Sequence, residues 1–185
     1  FENNDIACTL GTVMTRYYYN VFKNNHIGVK NTVTDTTHYF HNLFVLNNSA
    51  SEINYGIDND CYNTKIYKNT FVNNQPNSSN IAIKFNENGI NESPDYFHSN
   101  IIWNFAQACD PVTPVYYSCY NGMTMNPNNN TNIYDNPNIT TDDANNPWYN
   151  QIIPADYSLL QGSICIDRGH PDPNANGKDY LSDKE

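Results

Sequence analysis

The chain is 185 residues long, 35 of them Asn, with 19 acidic against 9 basic residues and a formal net charge of −10. Asn is a poor helix former and Ala and Leu are scarce, which excludes a helical bundle. The acidity, without any basic cluster, excludes nucleic acid as a partner, and no apolar run reaches the roughly 18 residues of a membrane span. Fifteen Tyr, eight Phe and two Trp are more aromatic surface than a disordered chain carries.

The first pattern along the chain is a repeat. Four segments align: YYYNVFKNN (17–25), YFHNLFVLNN (39–48), IYKNTFVNN (66–74) and FHSNIIWNF (97–105). Each opens on an aromatic residue or Ile, reaches an Asn three residues later, and carries an apolar residue two further on. The Asn set is Asn20, Asn42, Asn69 and Asn100, and the apolar set is Phe22, Phe44, Phe71 and Ile102. Phe1-Glu2-Asn3-Asn4 fits as the tail of an earlier copy. Counted from Phe1, the apolar members are 21, 22, 27 and 31 residues apart. A near-constant period of about 20 residues with insertions between copies is the signature of a solenoid.

Leucine-rich and helical repeats need Leu- or Ala-rich segments, which are absent. The apolar positions lie two apart within short Thr-, Val-, Tyr- and Phe-rich runs, which is strand spacing. The expectation is therefore an all-β chain in which residues 1–120 form the coils of a parallel β-helix. Tyr17/Tyr39/Ile66/Phe97 and Phe22/Phe44/Phe71/Ile102 would be its interior columns. Asn suits the bends because it tolerates left-handed backbone, and stacked Asn side chains can bond to one another along the axis. Asn4, Asn25, Asn48 and Asn74 mark a second bend. A β-sandwich of the same short strands is the alternative. The end rungs of a solenoid are open edges unless capped. Phe1-Glu2-Asn3-Asn4 carries no cap, so further coils are expected upstream in the same chain or from another subunit.

Cys8, Cys61, Cys109, Cys119 and Cys165 form no C-x-x-C pair, against a zinc or thioredoxin-type site. Cys109 and Cys119 bracket a short aromatic-rich segment, where a disulfide and two buried thiols are the alternative readings. N-x-S/T sequons begin at Asn47, Asn77, Asn91, Asn129 and Asn138, several of them expected by chance in so Asn-rich a chain. Acidity, few lysines and many uncharged polar residues suit a secreted or cell-surface protein.

After residue 105 the repeat fades, and residues 121–147 read as an Asn/Pro-rich loop insertion. Three pieces follow: Asn146-Pro147-Trp148-Tyr149, Asp156-Tyr157-Ser158-Leu159, and Gly162-Ser163-Ile164-Cys165-Ile166-Asp167-Arg168-Gly169. This series resembles the DPLF…DYxLxxGSPxIDxG ending of bacterial right-handed parallel β-helix proteins of the pectate-lyase-like superfamily, including the surface proteins called choice-of-anchor Q. It departs from that ending in Asn146 for Asp, Ile164 for Pro and Arg168 for a small residue. The resemblance implies a right-handed parallel β-helix whose residues 148–170 are the terminal rungs and cap. It implies no single activity, because the superfamily includes lyases, hydrolases, epimerases and proteins with no known catalysis.

The tail, 171–185, contains Asp172, Asn174, Asn176, Gly177, Lys178 and Asp183. Oxygen side chains at loop positions 1, 3 and 5, Gly at 6, a backbone carbonyl at 7 and an acid at 12 have the spacing of an EF-hand or dockerin-type calcium loop. Alternate residues point into one turn, and Gly permits the bend. Calcium held by Asp172, Asn174, Asn176, the Lys178 carbonyl and Asp183 is the metal reading; a solvated polar tail is the plainer one. Asp179 occupies position 8, where such loops carry an apolar residue, so no helix is expected to follow.

Polysaccharide lyases of this fold use an Arg or Lys base. Arg16, His38 and Lys65 each stand four residues before a repeat Asn and would form one short column, broken at the next rung by Tyr96. Such a column can bind an acidic glycan or supply a base; the plainer reading is a solvated face. Glycoside hydrolases of this fold use paired acids, and Asp58/Asp60 and Asp142/Asp143 are the close sets. Neighbours on a strand face opposite ways, so Asp142 and Asp143 pair poorly. Asp35 with His38 and His41 matches no recognised metal spacing. The leading expectation is a noncatalytic scaffold or adhesin section that contacts polysaccharide or surface glycan, with the C-terminal part of a polysaccharide lyase or glycoside hydrolase as the alternative.

Overall fold

The structure is a computed structural model that describes residues 1–10, 15–32, 36–47, 52–61, 63–75, 79–86, 96–111, 113–120, 132–134, 136–139, 157 and 159–165. Strands follow one another in threes: β1 (Ile6–Leu10), β2 (Thr15–Tyr18) and β3 (Val21–Lys23); β4 (Ile27–Asn31), β5 (Thr37–Phe40) and β6 (Leu43–Leu46); β7 (Tyr55–Asn59), β8 (Lys65–Tyr67) and β9 (Thr70–Asn73); β10 (Ile81–Phe85), β11 (Phe97–His98) and β12 (Ile101–Trp103); then β13 (Gln107–Asp110) and β14 (Cys119–Tyr120). Each group of three sends one strand to each of three parallel sheets, ordered β1-β4-β7-β10-β13, β2-β5-β8-β11 and β3-β6-β9-β12-β14. The chain is thus all-β, without a helix among the described residues, and this order is consistent with a parallel β-helix.

Register explains why the aromatic residues recur. Tyr17, Tyr39, Ile66 and Phe97 are paired in sequence along the second sheet. Phe22, Phe44, Phe71, Ile102 and Tyr120 are paired along the third. The rings of Phe1, Phe22, Phe44 and Phe71 stack at 5.0, 4.8 and 4.7 Å between centroids, within 8° of parallel. The first sheet completes this core with Cys8, Val29, Ile57, Ile83 and Cys109 in one register. Beside that column, Gly28 and Gly56 leave room for the Phe stack. A Cβ at Gly28 would lie 3.1 Å from the Phe44 ring and 2.5 Å from the Gly56 carbonyl. One at Gly56 would lie 3.1 Å from Phe71 and 2.6 Å from the Ala82 carbonyl.

The two bends use Asn differently. At the bend between the second and third sheets, the left-handed residues are Tyr19, His41, Lys68 and Ser99, with φ of 53–56°. The Asn that follows each turns its side chain inward. Asn20 donates both its backbone N–H and its amide to Asn42 Oδ1 at 3.1 Å; Asn42 does the same to Asn69 at 3.0 Å, and Asn69 to Asn100 at 3.0 and 3.2 Å. The ladder then outruns the sequence repeat. Asn100 N–H donates to Ser118 Oγ at 3.0 Å, and Ser118 N–H to Asn132 Oδ1 at 2.9 Å. Asn132 lies inside 121–147, the segment read as a loop insertion, and Ile133 bridges Cys119 in parallel. At the other bend Asn3, Asn24 and Asn104 themselves take the left-handed conformation, with φ of 58°, 56° and 63°, which Asn tolerates better than most residues. Asn4 donates to Asn25 Oδ1 there, and Asn47 donates to Asn24. Asn48 lies outside the described residues.

A second apolar cluster sits apart from this core, joining Val45, Val72 and Trp103 of the third sheet to Ile139 and Tyr157, with Leu43 and Leu159 packed against it. Much of 121–170 lies outside the described residues, including Trp148, Asp156 and Asp167–Gly169, as does the whole of 171–185.

Candidate functional site: a basic and aromatic sheet face

Side chains alternate across a strand, so Tyr17 facing inward turns Arg16 and Tyr18 to the other face. The register carries this arrangement along the second sheet. Arg16 pairs with His38 and His38 with Lys65; Tyr18 pairs with Phe40, Phe40 with Tyr67, and Tyr67 with His98. The second column is a continuous ring stack, with centroids 5.2, 5.2 and 5.6 Å apart and interplanar angles of 10°, 1° and 8°. A basic column and an aromatic column therefore run side by side. With strands about 4.8 Å apart, the Arg16 and Lys65 backbones are roughly 10 Å from one another.

Access is graded along the stack. Tyr18 is 46% and Tyr19 62% exposed, whereas Phe40, Tyr67 and His98 are buried. Arg16 is exposed; His38 and Lys65 are half-buried. Tyr19 stacks on His41 at 5.2 Å, which extends the aromatic surface into the bend beside Lys68. Lys65 Nζ lies 5.0 Å over the Tyr96 ring, so the basic column ends in a cation–π contact.

Burial, and then the positive charges of Lys65 and Arg16, lower the His38 pKa to about 4. His38 is thus neutral at physiological pH, and the cations of the column are Arg16 and Lys65. The ring of His38 meets Tyr67 edge-on at 6.2 Å. This face is a positive strip on a protein whose net charge is strongly negative.

The first sheet's outer face is different. Lys30, Asp58, Lys84 and Asp110 pair in register, so charges alternate and offset one another. Asp58 is buried, lies 3.7 Å from Lys84 Nζ, and accepts from the Asn86 amide at 3.2 Å. These contacts tie Asp58 to Lys84 and Asn86. Asp35, Asp142 and Asp143 lie outside the described residues. So do Asp172, Asn174, Asn176, Lys178 and Asp183 of the calcium-loop spacing. No group of three or more His, Cys, Asp and Glu is placed to hold a metal among the described residues.

The aromatic column beside Arg16, His38 and Lys65 was not read from the sequence. Its signal was present: Tyr18, Phe40, Tyr67 and His98 each stand two residues before the repeat Asn. All five cysteines are thiols. Cys109 belongs to the main core and Cys119 to the opposite side of the third sheet, where it lines a pocket, so the two face different surroundings. No helix is long and apolar enough to cross a membrane among the described residues.

No family model matches the chain, and neither the curated proteins nor the solved structures contain a match to it. What the structure defines is a class: an all-β chain of three parallel sheets with an internal Asn ladder.

Proposed function

We propose that the chain is a noncatalytic section of an extracellular or cell-surface right-handed parallel β-helix, and that its second sheet contacts anionic glycan. The observation that carries this reading is the pairing of Arg16, His38 and Lys65 in one column beside the Tyr18–Phe40–Tyr67 stack. The exposed rings, Tyr18 and Tyr19, can take the apolar face of a sugar ring, and the Arg16 guanidinium can take a carboxylate or sulfate in two-pronged fashion. The likeness of the 146–169 motif to the ending of the pectate-lyase-like superfamily, choice-of-anchor Q proteins among them, supports the handedness and the surface location.

Two further elements belong to the same reading. Additional coils, from the same chain or another subunit, continue the stack at the β1–β2–β3 edge, where Phe1, Ile6 and Val21 expose apolar surface. Calcium binds the loop of Asp172, Asn174, Asn176, the Lys178 carbonyl and Asp183, on the strength of its ligand spacing.

The test is incubation with a panel of acidic and neutral polysaccharides, read both for binding and for products. Retention of acidic members, released by salt and recovered at their original length, supports the scaffold. Cleavage that Lys65→Ala abolishes would replace it with the lyase or hydrolase reading.

A further inference from the structure

The segment around 157–165 forms a strap on the outer side of the third sheet. Tyr157 and Leu159 join Ile139 over Val45, Val72 and Trp103, and the Asn74 amide donates to the Tyr157 hydroxyl at 3.1 Å. Leu159 pairs antiparallel with Ile139, Leu160 N–H donates to the Asn138 carbonyl at 2.7 Å, and Ser163 Oγ donates to the Pro137 carbonyl. At the end of the strap, Cys165 N–H donates to Ser163 Oγ at 3.2 Å. That turn brings Cys165 to a shallow pocket, which Cys119 of β14 also lines, with Ile101 and Ile133.

We propose that Cys119 and Cys165 are a redox pair that closes into a disulfide under oxidising conditions and clamps the strap to the third sheet. Among five cysteines these two share a pocket wall. Cys109, nearer to Cys119 in sequence, is enclosed in the main core, where burial pushes its thiol well above the ordinary range and Asp110 adds to the effect. Cys165 is the more accessible of the pair and reacts first. Its thiolate attacks a low-molecular-weight disulfide such as oxidised glutathione, forming a mixed disulfide and releasing one thiolate. Cys119, after losing its proton, attacks the Cys165 sulfur and releases the second. Two protein thiols are oxidised, one small disulfide is reduced to two thiols, and three cysteines stay reduced. The inference stands independently of glycan binding.

The experiment equilibrates the full chain with oxidised glutathione, unfolds it, alkylates the remaining thiols and maps the peptides. The expected result is a fall from five alkylated cysteines to three, one linked peptide pair containing Cys119 and Cys165, and alkylation of Cys8, Cys61 and Cys109. In Cys165→Ser no intramolecular link forms. Five alkylated cysteines in the oxidised parent, a link between any other two cysteines, or a link that survives Cys165→Ser overturns the proposal.

Discussion

Asn69 Oδ1 accepts two hydrogen bonds from Asn42, one from its backbone N–H and one from its side-chain amide, each 3.0 Å long. Asn69 in turn donates to Asn100, and its amide nitrogen also lies 2.9 Å from the Tyr39 carbonyl and 3.0 Å from that of Tyr67. The two N–H groups of that nitrogen are shared among three surrounding oxygens, which leaves no room for an acceptor in its place. Asn69→Asp places a carboxylate among carbonyls, and a buried unmet polar group costs about 1–3 kcal/mol, more when charged. The expected loss is about 3 kcal/mol or more, measured by denaturant unfolding at neutral pH and partly relieved in acid, where the carboxyl can donate. Asn69→Ser keeps an acceptor, as Ser118 does in the same ladder, and should lose less. Equal stability of Asn69→Asp and the parent would remove the ladder as a source of stability.

Gly56 is fixed by a close approach. A Cβ there would lie 2.6 Å from the Ala82 carbonyl and 3.1 Å from the Phe71 ring. Backbone oxygen cannot yield as a flexible side chain can, so Gly56→Ala must move β7 or tilt Phe71 out of its stack. Overpacking of this kind costs about 1–3 kcal/mol. The check is the unfolding midpoint, and an unchanged midpoint would mean that Gly56 lies farther from β10 and from the Phe71 ring than described.

Much of the second and third sheets was legible in the sequence, because aromatic residues and Asn at a fixed offset mark Tyr17, Phe22, Asn20 and their successors. The first sheet was harder to read. Its inner column, Cys8/Val29/Ile57/Ile83/Cys109, is aliphatic or thiol throughout, and the neighbouring Gly28 and Gly56 carry no side chain to recognise. The left-handed backbone was misplaced at one bend: it falls on Tyr19, His41, Lys68 and Ser99 rather than on the Asn that follows. Ladder geometry explains this, because the Asn must aim its amide along the stack while the residue before it makes the turn. Ser118 and Asn132 were missed because Ser can replace Asn as an acceptor and because the run around Asn132 looks like a loop. The basic column Arg16/His38/Lys65 was found by its offset, whereas its aromatic neighbour emerged only from the register. The strap at 157–165 is a long-range contact, and no local pattern announces which sheet it covers.

Tyr39 shows the cost of a mostly aromatic interior. Its ring stacks on Tyr17 at 5.6 Å, yet its hydroxyl is buried and makes no hydrogen bond among the described residues. Burial, reinforced by Tyr17, Cys8 and Cys61, pushes its pKa well above the ordinary value, so it stays protonated. Tyr39→Phe keeps the ring and removes an unmet polar atom. Thermal unfolding should show stability unchanged or raised by about 1 kcal/mol. A loss of more than about 1 kcal/mol would mean that the hydroxyl has a partner.

His38 makes stability depend on pH in a defined window. Its folded pKa is about 4, against an ordinary value of 6.5, so between these values the unfolded chain binds the proton and the folded chain does not. Its contribution is full above pH 6.5 and is lost as pH falls towards 4. After allowance for solvent screening of a half-exposed group, the loss is about 1–2 kcal/mol. The difference in unfolding free energy between the parent and His38→Gln, followed from pH 7 to pH 4, isolates it; a flat difference contradicts the assignment. In Lys65→Met an NMR titration should find the His38 pKa raised part of the way, because burial is the larger cause and remains.

The Arg16/His38/Lys65 column and the adjoining Tyr18 and Tyr19 rings are proposed to bind an anionic glycan without cleaving it. The most direct measurement is calorimetric titration of a polyuronate oligomer into the parent and into the double variant Arg16→Gln/Lys65→Gln, with the oligomer recovered and sized. Both changes fall on the outer face, so folding is expected to survive them and is verified by the unfolding midpoint. The expected result is saturable binding by the parent that weakens with salt, at least tenfold weaker binding by the variant, and an oligomer of unchanged length. Absence of binding by the parent, equal binding by the folded variant, or shortening of the oligomer would contradict it.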